Sequence, residues 1–230
     1  MTAKFWEKFK HKTFCDDRIV MINADCEAVM AEIGDKEIDL VLTDPPYGID
    51  YGGQLKGKGD GMGGADKNGW KSYECPEWDK ERPKNEIFQR MLKIGKNQII
   101  WGGNYFADLL PAMQCWLVWD KGQREFSLAD GEMAWTSFDK AMRIFTYARS
   151  KALQDGKVHP TQKPVALMNW CLTNYSKEDD LIFDAFAGSF TTAIACIRTK
   201  RRFIGVELDP VYFEKAVERV DTELKQLTLF

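Results

Sequence analysis

The stretch LIFDAFAGSFTTAIACIRTKRRFIGVELD, residues 181–209, decides the fold of this chain. An apolar strand ends at Asp184, a turn of small residues around Gly188 opens a helix, and a second strand ends at Glu207. An acidic residue at the end of the second strand, about 20 residues after a glycine turn, is typical of a nucleoside-binding βαβ unit. The glycine lets a ligand approach the backbone, and the carboxylate of Glu207 can accept hydrogen bonds from both ribose hydroxyls.

The same turn limits which ligands fit. It has no second glycine to support a pyrophosphate cradle, which points away from a dinucleotide. On this stretch alone, a plain tight turn followed by a solvated glutamate is the alternative, because a single glycine turn is a weak signal.

Just upstream, HPTQKP at residues 159–164 leads into a helix predicted over residues 163–175. Its two prolines stiffen the turn. Thr161, Gln162 and Lys163 bring a hydroxyl, an amide and an ammonium group to a helix N-terminus, where carboxylates are favoured. The segment therefore suits an anionic ligand group, with a simple helix cap as the alternative.

Near the start of the chain, DPPYG at residues 44–48 follows the mostly apolar run 38–43, which predicts a buried strand. The two prolines carry no N–H group and end the strand. They leave the Asp44 carboxylate and the Pro45 carbonyl as acceptors, followed by the ring of Tyr47. A simple strand-ending turn is the alternative.

Strands and helices alternate along the chain, which predicts an α/β fold with three layers and a mostly parallel sheet. Further strands are predicted at residues 18–23, 97–101 and 115–119, and further helices at 26–33, 86–94, 105–110 and 210–227. Two more strand candidates, residues 132–136 and 143–147, are close enough in sequence for a hairpin or an antiparallel edge.

A different composition marks residues 48–69, which contain half of the 18 glycines together with three lysines. This composition predicts a long mobile loop over about residues 48–80.

The composition excludes several classes of protein. A net charge of −3 means that an anionic partner has to be met by a local patch. The six cysteines include no CxxC pair and there are two histidines, so we expect no structural metal and reduced thiols in a cytosolic protein. We also expect no signal peptide and no membrane span.

In this order, DPPY (44–47), HPTQKP (159–164), FAGSFTT (186–192) and VELD (206–209) resemble the motifs of the β-class S-adenosylmethionine-dependent DNA amino-methyltransferases. Residues 23–26, NADC, stand where this family usually has NGDC. The resemblance covers nearly the whole chain. It implies a three-layer, Rossmann-like methyltransferase fold with a circularly permuted motif order.

The resemblance also implies how the chain is divided. Residues 1–230 would form a single methyltransferase domain. The catalytic half, about residues 18–150 with the mobile loop at 48–80, would precede the cofactor half, about residues 157–228.

The activity that the resemblance implies is transfer of a methyl group from S-adenosylmethionine to N6 of adenine in DNA, with the adenine flipped out of the duplex or taken from a single strand. The catalytic residues would be Asp44, Pro45, Pro46 and Tyr47. The cofactor-binding residues would be Asp25, His159, Thr161, Gln162, Lys163, Asp184, Phe186, Ala187, Gly188, Ser189, Thr191 and Glu207. The alternatives are cytosine-N4 transfer, another planar amine as in RNA, and a nucleic-acid-binding relative that has lost transfer.

The residues at 44–48 suit the chemistry of an exocyclic amine. The lone pair of such an amine is spread into the ring, so a site that localises and aims it should be rich in acceptors. Asp44 and the Pro45 carbonyl supply them, and Tyr47 gives the base a face for stacking. An acid at position 44 favours adenine, because the cytosine enzymes of this family more often carry serine there. The segment WGGNY at residues 101–105 lines the base pocket or forms a core turn.

Two departures from the family pattern are Ala185, usually proline, and Phe190, usually glycine. The ring of Phe190 either packs against a neighbour or narrows the methionine pocket, so cofactor affinity is the property it affects. The family also makes a homodimer an expected assembly.

The chain has little room for a unit that reads DNA sequence. The few residues at 148–158 cannot form one, and the predicted final helix leaves none after it. Reading then falls to the glycine-rich loop, residues 70–73 and residues 121–124, which predicts a short or degenerate target.

Overall fold

The computed structural model describes residues 9, 11–50, 79–124, 129–152 and 162–227. His159, Thr161 and most of the predicted loop at 48–80 lie outside these residues.

Nine strands form one sheet within the described residues. They are β1 (Lys12–Cys15), β2 (Ile19–Asn23), β3 (Ile38–Thr43), β4 (Gly95–Trp101), β5 (Trp116–Asp120), β6 (Gly131–Thr136), β7 (Arg143–Thr146), β8 (Leu181–Asp184) and β9 (Arg202–Glu207). The helices are α1 (Cys26–Ala31), α2 (Asn85–Ile94), α3 (Arg149–Ala152), α4 (Val165–Tyr175), α5 (Thr191–Thr199) and α6 (Pro210–Leu227). The predicted helix at 105–110 is wrong: a 3₁₀ turn at Gly103–Tyr105 is followed by turns and bends.

The strand order is β1-β2-β9-β8-β3-β4-β6-β5-β7. The central run from β2 to β4 is parallel throughout. β1 and β6 are antiparallel to their neighbours. The prediction of an α/β fold with a mostly parallel sheet is therefore confirmed.

The predicted pairing of the two late strand candidates is wrong. β6 lies between β4 and β5 and is antiparallel to both, so neither side of it is open to β7. β7 instead joins the outer side of β5 in parallel and forms the edge of the sheet.

Helices cover both faces of the sheet and bury its apolar side chains. On β3, Leu40 and Leu42 join a cluster that includes residues of α4, α5 and α6, whereas Val41 joins a cluster with α1 and α2. In α2 the apolar residues recur at helical spacing: Ile87, Phe88, Met91 and Ile94 are all buried. Among the described helices, none is long and apolar enough to cross a membrane.

This topology brings polar side chains to one edge of the sheet. β2, β3, β8 and β9 are parallel neighbours, so their carboxyl ends meet. Asn23, Asp44, Asp184 and Glu207 lie at or next to these ends. In open α/β sheets this edge is where ligands bind.

Candidate functional site

A cavity of about 610 Å³ lies at the carboxyl ends of these strands. The predicted site residues that line it are Asp25, Asp44, Pro46, Gln162, Lys163, Asp184, Phe186, Ala187, Gly188, Ser189, Thr191 and Glu207. Pro45 and Tyr47 lie beside it and are not among its lining residues. His159 and Thr161 lie outside the described residues.

Glu207, at the end of β9, accepts a hydrogen bond from the glycine turn that follows the neighbouring strand β8. The Gly188 N–H donates to its Oε2 at 2.9 Å, and the Asp209 N–H donates to its Oε1 at 2.8 Å. Gly188 has φ +50°, which a residue without a Cβ adopts at little cost. Burial raises the pKa of the Glu207 carboxyl to about 7, although these two N–H groups oppose the rise.

Asp184 connects three elements at the wall of the cavity. Its Oδ1 accepts from the Thr43 hydroxyl at 2.7 Å and from the Phe186 N–H at 3.1 Å. Its Oδ2 accepts from the Thr192 hydroxyl at 2.8 Å. Burial raises the pKa of Asp184 to about 6. The carboxyl thus ties β3, the turn and α5 to one another at the wall of the cavity.

Asp25 caps a helix and also lines the cavity. Its Oδ1 accepts from the Glu27 N–H at 2.7 Å and caps α1. The residue also lines the cavity, beside Ala24 and Cys26.

Phe190 does not line the cavity. Its side chain is fully buried and meets Phe203 and Phe213 edge to face, with both centroid distances at 6.1 Å. Gly205 leaves room for the ring, since a Cβ there would lie 2.8 Å from Phe190 Cε1. Of the two interpretations open from the sequence, the structure supports packing against neighbours.

Asp44 stands at the end of β3, and both of its oxygens have partners. The Tyr47 hydroxyl donates to Oδ1 at 2.7 Å, and the Lys163 ammonium contacts Oδ2. Burial raises the pKa of Asp44, and the charge of Lys163 opposes the rise.

The turn after Asp44 is fixed by a residue from the far side of the glycine-rich segment. The buried Asp79 accepts through Oδ1 from the Tyr47 N–H at 2.7 Å and from the Gly48 N–H at 3.1 Å. Gly48 has φ +73°, and a Cβ there would lie 2.8 Å from Arg82. Glycine after the tyrosine is therefore a requirement of the turn.

The ring of Tyr47 packs against the segment at 101–105. It stacks on Tyr105 with a centroid distance of 4.6 Å and an angle of 14°. It also lies directly on Gly102, where a Cβ would be 2.1 Å from the ring. Trp101 lines the cavity, so this segment serves both the cavity and the tyrosine.

A second carboxylate, that of Glu132 on β6, contacts the same lysine as Asp44 does. Its Oε2 lies 2.9 Å from the Lys163 ammonium, and its Oε1 lies 2.7 Å from the Lys121 ammonium. Burial acts to raise the pKa of Glu132, but these two cations lower it to about 2. Burial disfavours the charge of Lys163, while Asp44 and Glu132 raise its pKa.

The sequence predicts neither Asp79 nor Glu132 as a site residue. Each is a single acid outside any motif, and each reaches the site through tertiary pairing. Lys121 was predicted to help read DNA, but it turns inward to Glu132 and is 12% exposed.

The lining residues fit S-adenosylmethionine. The volume of the cavity falls in the range of small-molecule sites. Its nucleoside end combines the acceptor Glu207 and the glycine turn with the apolar Val206 and Leu208. Its other end has the donors Gln162 and Lys163, which suit the carboxylate of an amino acid.

Comparisons with known proteins agree with this geometry. A family model described as DNA methylase, covering N6 and N4 methyltransferases, matches residues 100–218. The type II methyltransferase M2.DpnII of Streptococcus pneumoniae is 23% identical over 90% of this chain and 91% of its own length. M2.LlaDCHI of Lactococcus lactis subsp. cremoris is 23% identical over 96% of this chain and 93% of its own length.

Solved structures share the fold. The crystal structure of the M1.HpyAVI–SAM complex matches with a TM-score of 0.58 and 22% identity, over 88% of this chain and 99% of that chain. The PvuII DNA methyltransferase, described as cytosine-N4-specific, matches with a TM-score of 0.63 and 15% identity, over 95% of this chain and 96% of that chain. At these identities the likeness shows the fold alone.

Proposed function

The chain belongs to the DNA methylase family of S-adenosylmethionine-dependent amino-methyltransferases, and we propose that it methylates N6 of adenine in DNA. The observation that carries the proposal is the Asp44 carboxylate at the cavity wall, directly after β3. A carboxylate at this place is an acceptor for an N–H group of an exocyclic amine.

The cofactor half of the cavity would hold S-adenosylmethionine. Glu207 would accept from the ribose hydroxyls, Asp25 would accept from the adenine amine, and Gln162 and Lys163 would donate to the carboxylate of the amino-acid end. When bound, S-adenosylmethionine supplies a methyl group carried on a sulfonium centre.

The catalytic half prepares the acceptor amine. Asp44 and the Pro45 carbonyl accept from the amine, which localises its lone pair and aims it into the cavity. Most of the rate then comes from positioning and electrostatic stabilisation. The charge of Lys163 favours the ionised form of Asp44, because an adjacent cation stabilises the carboxylate.

The target base has to leave the helix to reach this site. Asp44 lies at the wall of the cavity, and a base stacked inside a duplex cannot reach it there. Tyr47, which donates to Asp44, stacks on Tyr105, and Tyr105 is 38% exposed, so we expect an extruded base to stack on this aromatic pair.

Product analysis tests the proposal. The protein is incubated with labelled S-adenosylmethionine and mixed-sequence DNA, and the digested nucleosides are separated. We expect N6-methyladenine. N4-methylcytosine as the only product would replace adenine by cytosine as the substrate, and cofactor binding without any methylated base would support a relative that has lost transfer.

A further inference from the structure

Four charged side chains of alternating sign form a continuous row behind the cavity. Asp44 contacts Lys163, Lys163 lies 2.9 Å from Glu132, and Glu132 lies 2.7 Å from Lys121. Lys163 is 7% exposed, so its ammonium depends on these carboxylates for compensation. The row crosses from β3 to the antiparallel strands β6 and β5.

Both carboxylate oxygens of Asp44, the acceptor residue of the proposed reaction, already have a donor from the protein in this structure. Tyr47 donates to one oxygen of Asp44, and Lys163 contacts the other. An incoming amine therefore has to share the carboxylate with these donors or take the place of one of them, since each oxygen can accept more than one hydrogen bond. A buried donor or charge left without a partner at that moment would raise the barrier.

Glu132 is placed to receive both donors. Its Oε2 is already 2.9 Å from the Lys163 ammonium and 3.5 Å from the Tyr47 hydroxyl. A donor that leaves Asp44 therefore has Glu132 as a second acceptor within reach. Asp44 and Glu132 thus share the same two donors.

We propose that Glu132 is a positioning residue for methyl transfer, which takes up the Lys163 ammonium and the Tyr47 hydroxyl when the substrate amine reaches Asp44. The inference rests on the proposed amine methylation, and it applies to either base. Glu132 acts through Lys163 and Tyr47 and does not itself touch the amine.

The sheet holds Glu132 in place for this role. It is paired with Trp119 across the β5–β6 ladder. The Lys121 ammonium sits on its outer oxygen and 5.0 Å from the centre of the Trp119 ring. Two flanking cations keep Glu132 ionised, so it can accept both donors at neutral pH.

A double-mutant cycle tests whether Glu132 acts through Lys163. We expect Glu132→Gln to lower the single-turnover rate of methyl transfer by about 100-fold, as for a misplaced reacting group. The dissociation constants for S-adenosylmethionine and for DNA should change less than about twofold. In a Lys163→Met background, Glu132→Gln should have a much smaller further effect on the rate, because only the Tyr47 hydroxyl is then left for Glu132 to receive.

Two further variants keep the test decisive. Glu132→Asp retains the buried charge on a shorter side chain and should fold and lose rate to an intermediate degree, even where Glu132→Gln does not fold. Glu223→Gln is the matched control, because Glu223 is 12% exposed and pairs with Arg198 at 2.7 Å, away from the cavity. It should leave the rate unchanged.

The outcomes separate this inference from the proposed function. Unchanged rates for Glu132→Gln and Glu132→Asp, or additive effects of Glu132→Gln and Lys163→Met, would overturn the positioning role while leaving the activity intact. Wild-type protein that binds S-adenosylmethionine but methylates no base would overturn both. Methylation of cytosine instead of adenine would change the substrate and leave the positioning role standing.

Discussion

At the scale of single residues, we expect Asp44 to serve methyl transfer and not cofactor binding. Its partners are Tyr47 and Lys163, whereas the glycine turn is held by Glu207. We expect Asp44→Ala to lower the single-turnover rate by at least about 100-fold, as when one electrostatic contact to the reacting group is removed. Lys163 remains paired with Glu132, so the fold and the affinity for S-adenosylmethionine should be largely kept.

Asp39→Ala is the matched control for this prediction. Asp39 lies on the same strand and also pairs with a lysine, Lys96, but at the opposite end from the cavity. It should leave the rate unchanged. Calorimetry that showed cofactor binding lost in Asp44→Ala would contradict the proposed division between the two halves.

Glu207 makes cofactor affinity depend on pH. The pKa of this carboxyl is raised to about 7 by burial, so the ionised form that accepts best becomes dominant as the pH rises through that value. Affinity for S-adenosylmethionine should therefore increase about tenfold from about pH 6 to about pH 8, by linkage to one ionisation. Calorimetry across this range measures it.

Substitution isolates the contribution of Glu207. Glu207→Gln should flatten the pH profile, because an amide does not ionise. Glu207→Ala should weaken binding at pH 8 by about 1.5–3 kcal/mol, the range for hydrogen bonds to a charged group. An unchanged dissociation constant in Glu207→Ala would remove this residue from the site.

The sequence predicts some of these residues and not others for a physical reason. Asp44 and Glu207 each end a parallel strand, and parallel strands present their carboxyl ends at one edge, so their meeting follows from local pattern and topology. Glu132 reaches the site because β6 runs antiparallel between β4 and β5. That pairing depends on strands far apart in sequence and has no local signal.

At the scale of elements, the start of α5 combines backbone strain with tight packing. Phe190 is the residue before the helix and has φ +54° and ψ 36°, a left-handed conformation that is unusual for a bulky side chain. The conformation costs about 1–2 kcal/mol. The buried contacts of its ring with Phe203 and Phe213 offset this cost.

Phe190→Gly should therefore destabilise the protein although it relieves the strain. Loss of a buried phenylalanine costs about 3–5 kcal/mol, so the net loss should be about 1–4 kcal/mol in urea unfolding. Affinity for S-adenosylmethionine should stay within about twofold of wild type, after the ligand's own stabilisation is accounted for. Tighter cofactor binding in Phe190→Gly would mean that the ring does narrow the methionine pocket.

The strands show which part of the fold can be predicted from the sequence pattern. Each element of the βαβ unit at 181–209 was placed within a few residues, because apolar runs, a glycine turn and terminal acids mark its boundaries. The partner of β7 was not predictable in this way. Short spacing favours a hairpin with β6, but both sides of β6 are already paired, so β7 adds to β5.

At the scale of the whole molecule, charge sets how DNA is bound. The net charge is −3, so attraction to DNA has to come from local cations that contact phosphates. Of two candidates from the sequence, Lys121 is turned inward to Glu132, whereas Arg124 pairs with Asp120 but is 62% exposed. Affinity should still fall at least about tenfold between about 50 and 200 mM salt, since phosphate contacts release counterions. Fluorescence anisotropy at several salt concentrations measures this, and a flat response would contradict it.

Target choice is also a property of the whole molecule. Within the described residues, β2 to α6 form the sheet, the helices that cover it and the segments that connect them. Between β7 and α4 there are only residues 147–164. Sequence reading would then depend on the glycine-rich residues 51–78, which lie outside the described residues. A glycine-rich segment loses much conformational entropy on binding, which limits discrimination between sites.

We therefore expect a short or degenerate target, with affinity carried mainly by phosphate contacts. Sequencing that maps methylated adenines on a mixed-sequence substrate tests this, and a single long site without tolerated variants would show that recognition resides elsewhere.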